Sequence, residues 1–297
     1  MVIQQEFQER EANLFQVIQL LRWDKMAGRL LLLIPALWAV FLAAQGKPPV
    51  SIVSLIVAIG FLTSTAGCVV NDLWDRDIDP YVQRTCDRPL ASRALSIKMA
   101  TVVGLALLGC IVTLAFYLKP ISFWLFATVI PLIIVYPLAK RVFPLPGFIL
   151  AITWGFAVLI SWSAVSGTLE SSTWLLCSAT MLWTVGFETI YAMSDREGDL
   201  KIGINSSALF FGKYAPVAIG ILFLGTSSIL AVLGLRLQLQ LSFWICLLLA
   251  TIGWGGQIIR LWQNPQLHYS AYIQMFRQNV WIGIVLLLGM ISGSLTF

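Results

Sequence analysis

The hydrophobic positions of this chain fall into nine runs of roughly 20 residues, each apolar on every face and separated from the next by a short polar segment. The runs cover Gly28–Ala44, Val50–Val70, Ser96–Leu118, Ile121–Ala139, Pro146–Val165, Thr173–Met193, Tyr214–Leu235, Leu239–Trp262 and Phe276–Leu295. Each is long enough to cross a hydrocarbon layer about 30 Å thick. A membrane strand would alternate polar and apolar residues, whereas these runs do not, and only helices satisfy their own backbone in lipid. The expected fold class is therefore an all-α, polytopic membrane bundle of about nine helices, forming one domain over residues 1–297. Pro35, Pro131 and Pro137 lie inside runs, which neighbouring helices in lipid can accommodate. Ahead of the first run, Leu14, Val17, Ile18 and Leu21 recur at helical spacing, so residues 1–26 are expected to form an amphipathic segment on the membrane surface.

Composition agrees with this pattern: 59% of the residues are hydrophobic and 11% charged, which excludes soluble enzymes and nucleic-acid-binding modules. The net charge of +5 does not argue for nucleic acid, because the basic residues sit between the runs, where they set orientation. Sixteen of the 19 Lys and Arg fall on the side that holds the N-terminus, and only Lys47, Lys119 and Arg236 fall on the other. This asymmetry predicts a cytoplasmic N-terminus and a C-terminus on the opposite side of the cell's inner membrane. The polar stretch Gln4–Arg10, with Glu6 and Glu9, is unlike a secretory leader, and none is expected. The five cysteines show no C-x-x-C spacing, so neither a disulfide framework nor a zinc site is expected. With His268 as the single histidine, read as a loop residue, any metal must be held by oxygen ligands.

Twelve of the 14 acids lie on the same side as the basic excess, which orientation rules do not require. They are concentrated in two segments, 71–95 and 194–213, expected to be cytoplasmic loops. Both contain D-R-x-x-D, with Asp75-Arg76-Asp77-Ile78-Asp79 in the first and Asp195-Arg196-Glu197-Gly198-Asp199 in the second. If the second helix continues past Val70, Asn71, Asp75 and Asp79 share one face, drifting about 40° per step. Asp195 and Asp199 repeat the spacing, and the four helices between the motifs suggest a parallel repeat of four-helix units plus a ninth helix. Carboxylates with one amide oxygen suit Mg²⁺, which takes one or two carboxylates and completes its shell with water and substrate phosphates. Two clusters could hold two ions on either side of a diphosphate. Arg84, Arg88, Lys140, Arg141 and Lys201 lie nearby and suit phosphate oxygens. Asp72, Asp77 and Glu197 point off the metal-facing stripe and are read as solvated or supporting residues. Glu188 sits inside an apolar run, where an acid usually faces a cavity or a partner.

At these residues the chain resembles the UbiA superfamily of intramembrane prenyltransferases, whose marks are N-D-x-x-D-x-x-x-D and a second D-x-x-x-D. The likeness extends to LLRWDK (Leu20–Lys25), RTCDRPL (Arg84–Leu90), YPLAKR (Tyr136–Arg141) and YAMSDREGDLKIGINSSALFFG (Tyr191–Gly212). Within the family these segments are most similar to the 4-hydroxybenzoate polyprenyltransferase branch. Met26 follows Lys25 where that branch usually has proline, which is expected to alter the approach to helix one and not the chemistry.

The resemblance implies a nine-helix bundle with a polar cavity opening to the cytoplasm and a lipid-facing opening for a prenyl chain. It implies Mg²⁺ held by Asn71, Asp75 and Asp79 at one position and by Asp195 and Asp199 at another, with a polyprenyl diphosphate between them. Arg84, Arg88, Lys140, Arg141 and Lys201 would hold diphosphate oxygens or the carboxylate of 4-hydroxybenzoate. Tyr136, Tyr191 and Glu188 would line the pocket, and Phe187 or Trp183 would shield an allylic cation. Asp75, Asp195 and Arg141 are the expected catalytic residues, with Asp195 or released diphosphate taking the ring proton. The implied reaction prenylates the ring carbon ortho to the hydroxyl, a membrane step toward ubiquinone or plastoquinone. Two rival readings stand beside it: another family branch, with homogentisate or 1,4-dihydroxy-2-naphthoate as acceptor, and a transporter with an acidic cation site. The gathering of charge at one face argues against a transport path, which needs polar groups near the membrane centre.

Overall fold

The computed structural model describes residues 14–23, 26–82, 85–264 and 267–295, and among them all regular structure is helical. A short helix α1 spans residues 14–20. It is followed by α2 (Met26–Ala43), α3 (Val50–Asp75), a 3-10 turn at Asp79–Tyr81, α4 (Ile97–Ala115), α5 (Pro120–Val142), α6 (Pro146–Ser166) and α7 (Ser171–Met193). Two short helices, α8 (Arg196–Ile202) and α9 (Ser207–Phe211), lead into α10 (Ala215–Arg236), α11 (Leu241–Gln263) and α12 (Tyr269–Ser294). Nine of these helical segments, among the described residues, are long and apolar enough to span a membrane. The protein is thus an all-α integral membrane bundle, as the hydrophobic runs require.

Local signals start and stop the helices where backbone groups would otherwise be orphaned. Ser96 caps α4 by accepting from the Met99 amide at 3.2 Å. Prolines occupy the first turn of α5 and α6, where no intrahelical N–H is needed. Glu170 and Thr173 form a capping box at the start of α7.

Two helix boundaries differ from the apolar runs. α3 continues through Asn71 and Asp72 to Asp75, because the acids on its last turn are buried against cationic partners instead of being released to solvent. α12 begins at Tyr269, about two turns before the apolar run. Its polar first half is held by packing, since Tyr272, Met275 and Asn279 recur at helical spacing on a buried face. His268, read as a loop residue, is the N-cap of this helix and accepts from the Ser270 amide.

The core has two main halves. One joins α2, α6, α7, α10, α11 and α12 around Trp38, Trp183, Phe187, Phe223 and Trp254. The other joins α2, α3, α4, α5 and α6 around Val40, Ile56, Ile111, Phe126 and Ile160. Helices α2 and α6 contribute to both and form the seam. A third, small cluster at the motif end packs Leu20 of α1 against Val69, Leu90, Leu95 and Ala100. Leu20 is fully buried, whereas Leu14 and Ile18 of the expected amphipathic stripe are exposed, so α1 is pinned to the bundle by one face only. Successive spans pack on one another along the bundle, α2 on α3 and α3 on α4, and α6 on α7 and α7 on α10.

Several polar groups inside the bundle are paired with one another. Asn279 Oδ1 accepts from both Trp183 and Trp254 indoles at 3.0 Å, and its amide donates to Gln257 and to the Met275 carbonyl. The Trp38 indole donates to the Gly283 carbonyl at 3.0 Å. Such bonds substitute for the hydrophobic drive that helices lack in lipid.

Candidate active site

At the motif end the bundle opens into a cavity of about 440 Å³. Asn71, Asp75 and Asp79 of the first motif and Asp195 and Asp199 of the second all line it. Arg22, Arg88, Tyr136, Lys140, Glu188 and Tyr191 share its wall. Two acidic segments about 120 residues apart in sequence therefore converge on one space.

The first motif is built on the last turn of α3. Asn71 Nδ2 donates to Asp75 Oδ2 at 3.0 Å, one turn along the helix. Lys140, at the end of α5, donates to the same oxygen at 2.6 Å. Asp79 does not continue the helical face: α3 stops at Asp75, and Asp79 opens a 3-10 turn with Pro80, which has no N–H for a helix. The turn still delivers Asp79 to the cavity, where Arg88 donates to its Oδ2 at 2.7 Å.

The second motif leaves the helix earlier. α7 ends at Met193, Asp195 is the N-cap of α8, and the Asp199 amide donates to the Asp195 carbonyl at 2.9 Å. Gly203 then takes a left-handed φ of 76°, which closes α8 and reverses the chain. The reversal sends the Asn205 amide to the Lys140 carbonyl at 2.7 Å. The two motif loops are thus joined through α5, and each is more helical than a loop.

Asp72, read as solvated or supporting, is a supporting residue in the structure. It is 1% exposed and buried, not solvated, and it pairs with Arg22 of the segment before α2 and with Arg88, the latter at 3.2 Å. Arg88 thereby ties Asp72 and Asp79 together, holding the loop against α3. Burial opposes the Arg22 charge, yet Asp72 beside it prevails and holds the guanidinium pKa above its ordinary value. Arg22 carried no local signal as a site residue, since its partner is 50 residues away. Asp77 and Glu197 are exposed, as expected for residues off the stripe.

Other expected residues are spread more widely. Arg84 lies outside the described residues. Arg141 does not line the cavity; it donates to the Trp74 carbonyl at 2.6 Å and stands 4.0 Å from Asp75 Oδ1, at the outer edge of the rim. Lys201 is exposed on α8 and is likewise off the cavity wall. Tyr136 and Tyr191 are both on the wall. Of the two rings expected to shield a cation, Phe187 lines the cavity, whereas Trp183 is fully buried behind it in an edge contact of 5.2 Å.

The donor set fits a hard divalent cation. Asp75 Oδ1 is buried without a hydrogen-bond partner among the described residues, although its companion oxygen is doubly bonded. A buried, orphaned carboxylate oxygen is costly unless a ligand completes it. Among the described residues no three carboxylate, thiol or imidazole groups make a ready cage. Mg²⁺ keeps several waters and shares substrate phosphates, so it does not require an all-protein site.

Fold and site together define a polytopic membrane protein built around a one-ended cavity with an acidic, metal-compatible rim and basic side chains for a phosphorylated ligand. The sequence pattern of the UbiA prenyltransferase family matches residues 32–280, and the chain belongs to that family. It is 56% identical over 279 residues to the 4-hydroxybenzoate solanesyltransferase of Synechocystis sp., covering 94% of this chain and 95% of that protein. Its fold is similar to that of a UbiA homolog from Aeropyrum pernix K1 in its apo form, with a TM-score of 0.79 at 24% identity, over 91% of this chain and 99% of that one. It is also similar in fold to a UbiA homolog from Archaeoglobus fulgidus solved with GPP and Mg²⁺, with a TM-score of 0.70 at 17% identity over 91% and 99% of the two chains.

Proposed function

We propose that this chain transfers a polyprenyl group from polyprenyl diphosphate to the ring carbon ortho to the hydroxyl of 4-hydroxybenzoate, in quinone biosynthesis. The observation that carries the reading is the convergence of both acidic motifs, Lys140 and Arg88 on one cavity in a bundle with lipid-facing walls. The 56% identity to a 4-hydroxybenzoate solanesyltransferase supplies the acceptor.

Asn71, Asp75 and Asp79 would hold one Mg²⁺, and Asp195 and Asp199 a second. When bound, Mg²⁺ supplies Lewis-acid neutralisation of the charge that develops on a departing diphosphate. Lys140 and Arg88 add fixed positive charge at the same rim. Arg84, Arg141 and Lys201 would meet the diphosphate or the acceptor carboxylate. Phe187, Tyr191 and Phe276 form an aromatic wall in which Tyr191 and Phe276 rings stand 4.8 Å apart. Such faces stabilise an allylic cation and exclude water from it.

The tail has its own path. A second, apolar cavity of about 60 Å³ lies among Ile56, Gly60, Phe126, Ala157 and Ile160 and shares Leu32, Thr63 and Thr153 with the first. Prenyl carbons placed there gain about 0.8 kcal/mol per buried CH₂, which keeps the chain among helices and lipid. The basic excess at the motif end supports a cytoplasmic placement of that end and of the N-terminus in the inner membrane.

The test is to supply membranes containing the protein with a polyprenyl diphosphate and a mixture of 4-hydroxybenzoate, homogentisate and 1,4-dihydroxy-2-naphthoate, with and without Mg²⁺. Prenylated 4-hydroxybenzoate alone, and only with Mg²⁺, is the expected product by mass. Prenylation of a different acceptor would overturn the assignment of the branch.

A further inference from the structure

Glu188 is an acid within a membrane-spanning helix, and among the described residues it has no cationic partner. It lies seven residues before Asp195, roughly 10 Å deeper along α7. The side chain is built into place from two directions. Ser207, at the start of α9, donates to its Oε2 at 2.5 Å. On the opposite side, Gly147 gives it room, since a β-carbon there would stand 2.2 Å from the same oxygen. Oε1 has no hydrogen-bond partner among the described residues, and the carboxyl lines the cavity beside Phe187 and Tyr191. An ionisable group in such a setting normally meets a ligand.

Charge orients what enters. Lys140 and Arg88 stand at the rim paired with motif carboxylates, while Glu188 lies deeper with no cationic partner among the described residues, so an aromatic acid is repelled from Glu188 by its carboxylate and presents its opposite end to it. On a para-substituted ring that opposite end is the hydroxyl. We infer that Glu188, set by Ser207 and Gly147, accepts the phenolic O–H of the acceptor and selects rings that carry one. The inference rests on the reading above that the acceptor is 4-hydroxybenzoate.

The hydrogen bond makes the ring carbon ortho to the oxygen more electron-rich. As that carbon bonds to C1 of the prenyl group, the C1–O bond breaks and its electron pair leaves with diphosphate. The phenolic proton passes to Glu188 during this step. It returns to the oxygen when the substituted ring carbon gives its own proton to the released diphosphate, restoring the aromatic phenol. Glu188 ends unchanged.

The experiment measures kcat and KM for each substrate in wild type, Glu188→Gln and Gly147→Ala, together with the Ki of 4-methoxybenzoate, which keeps the acceptor's shape without the donor. Glu188→Gln is expected to lower kcat/KM for 4-hydroxybenzoate at least 10-fold, while leaving the KM of polyprenyl diphosphate and the Ki of 4-methoxybenzoate within about twofold. Gly147→Ala, which displaces the carboxyl without removing it, should give the same selective loss. Equal losses toward 4-hydroxybenzoate and 4-methoxybenzoate, or no loss in Glu188→Gln, would overturn the inference while leaving the reaction intact. A wild-type chain that prenylates no 4-hydroxybenzoate would overturn the functional reading and this inference with it.

Discussion

Asp72 and Asp75 stand one turn apart on α3, yet the structure gives them opposite duties, and replacing each by asparagine separates the two. Asp72 is 1% exposed and accepts from Arg22 and Arg88, so asparagine there leaves Arg22 without its carboxylate and Arg88 with Asp79 alone, in a buried setting. Each charge-assisted bond contributes about 1.5–3 kcal/mol. Because Arg22 is 22% exposed and Arg88 15%, the lower end is the better figure for each, giving about 3 kcal/mol in all. At about 2 °C per kcal/mol for a long chain, Asp72→Asn should lower the melting midpoint by roughly 6 °C. Asp75 is different. Asparagine there gives up one charge-assisted partner, Lys140, against two at Asp72, so the stability loss should be about half as large, roughly 1.5 kcal/mol. The lost carboxylate charge at the cavity wall should lower turnover by at least about 100-fold. The assay is thermal unfolding of detergent-purified protein alongside Mg²⁺-dependent turnover at 20 °C, well below the transition. Asp72→Asn should keep activity within about tenfold of wild type. The reasoning is refuted if Asp75→Asn remains folded and retains more than a tenth of wild-type turnover, or if it destabilises as much as Asp72→Asn.

Three further outcomes follow from the same geometry. Lys140→Met removes the cation bonded to Asp75 at the rim and should raise the KM for polyprenyl diphosphate at least 10-fold, read by steady-state kinetics. Ala157→Phe fills the apolar side cavity and should shift product profiles toward shorter tails when diphosphates of several lengths compete, with little change for the shortest. Chelation with EDTA should abolish turnover without unfolding the helices by circular dichroism, and added Mg²⁺ should restore it.

Most of the fold was legible in the sequence because a membrane span is a local property: a run of apolar residues long enough for the bilayer specifies its own helix. The nine runs became nine spans, and the paired acidic motifs met in space because spans α3 and α7 both run toward the same end. What stayed hidden was pairing over long distances. Asp72 was legible as solvated or supporting, off the metal-facing stripe, but its partners were not, and only the fold brings Arg22 and Arg88 onto it. Trp183 looked as suitable as Phe187 for a cavity wall, since neighbours in sequence do not reveal which ring fronts a space and which backs it. The early start of α12 was invisible to hydropathy because its first turns are polar and are held from α11, where Arg260 donates to Gln274 at 3.4 Å and Gln257 to the Met275 carbonyl at 3.1 Å. Arg141 and Lys201 carried the right charge in the right segment, but the helical phase of α5 and α8 turned them off the cavity wall.

The measurement that tests the account most directly is a count of divalent ions in the presence of a non-reacting polyprenyl thiodiphosphate, using Mn²⁺ and its electron paramagnetic resonance signal. If both motifs serve one diphosphate site, the wild type should bind two ions per chain, and Asp75→Asn and Asp195→Asn should each lose one. Wild-type stoichiometry in either folded variant would contradict the claim that the two acidic motifs form a single metal-dependent site.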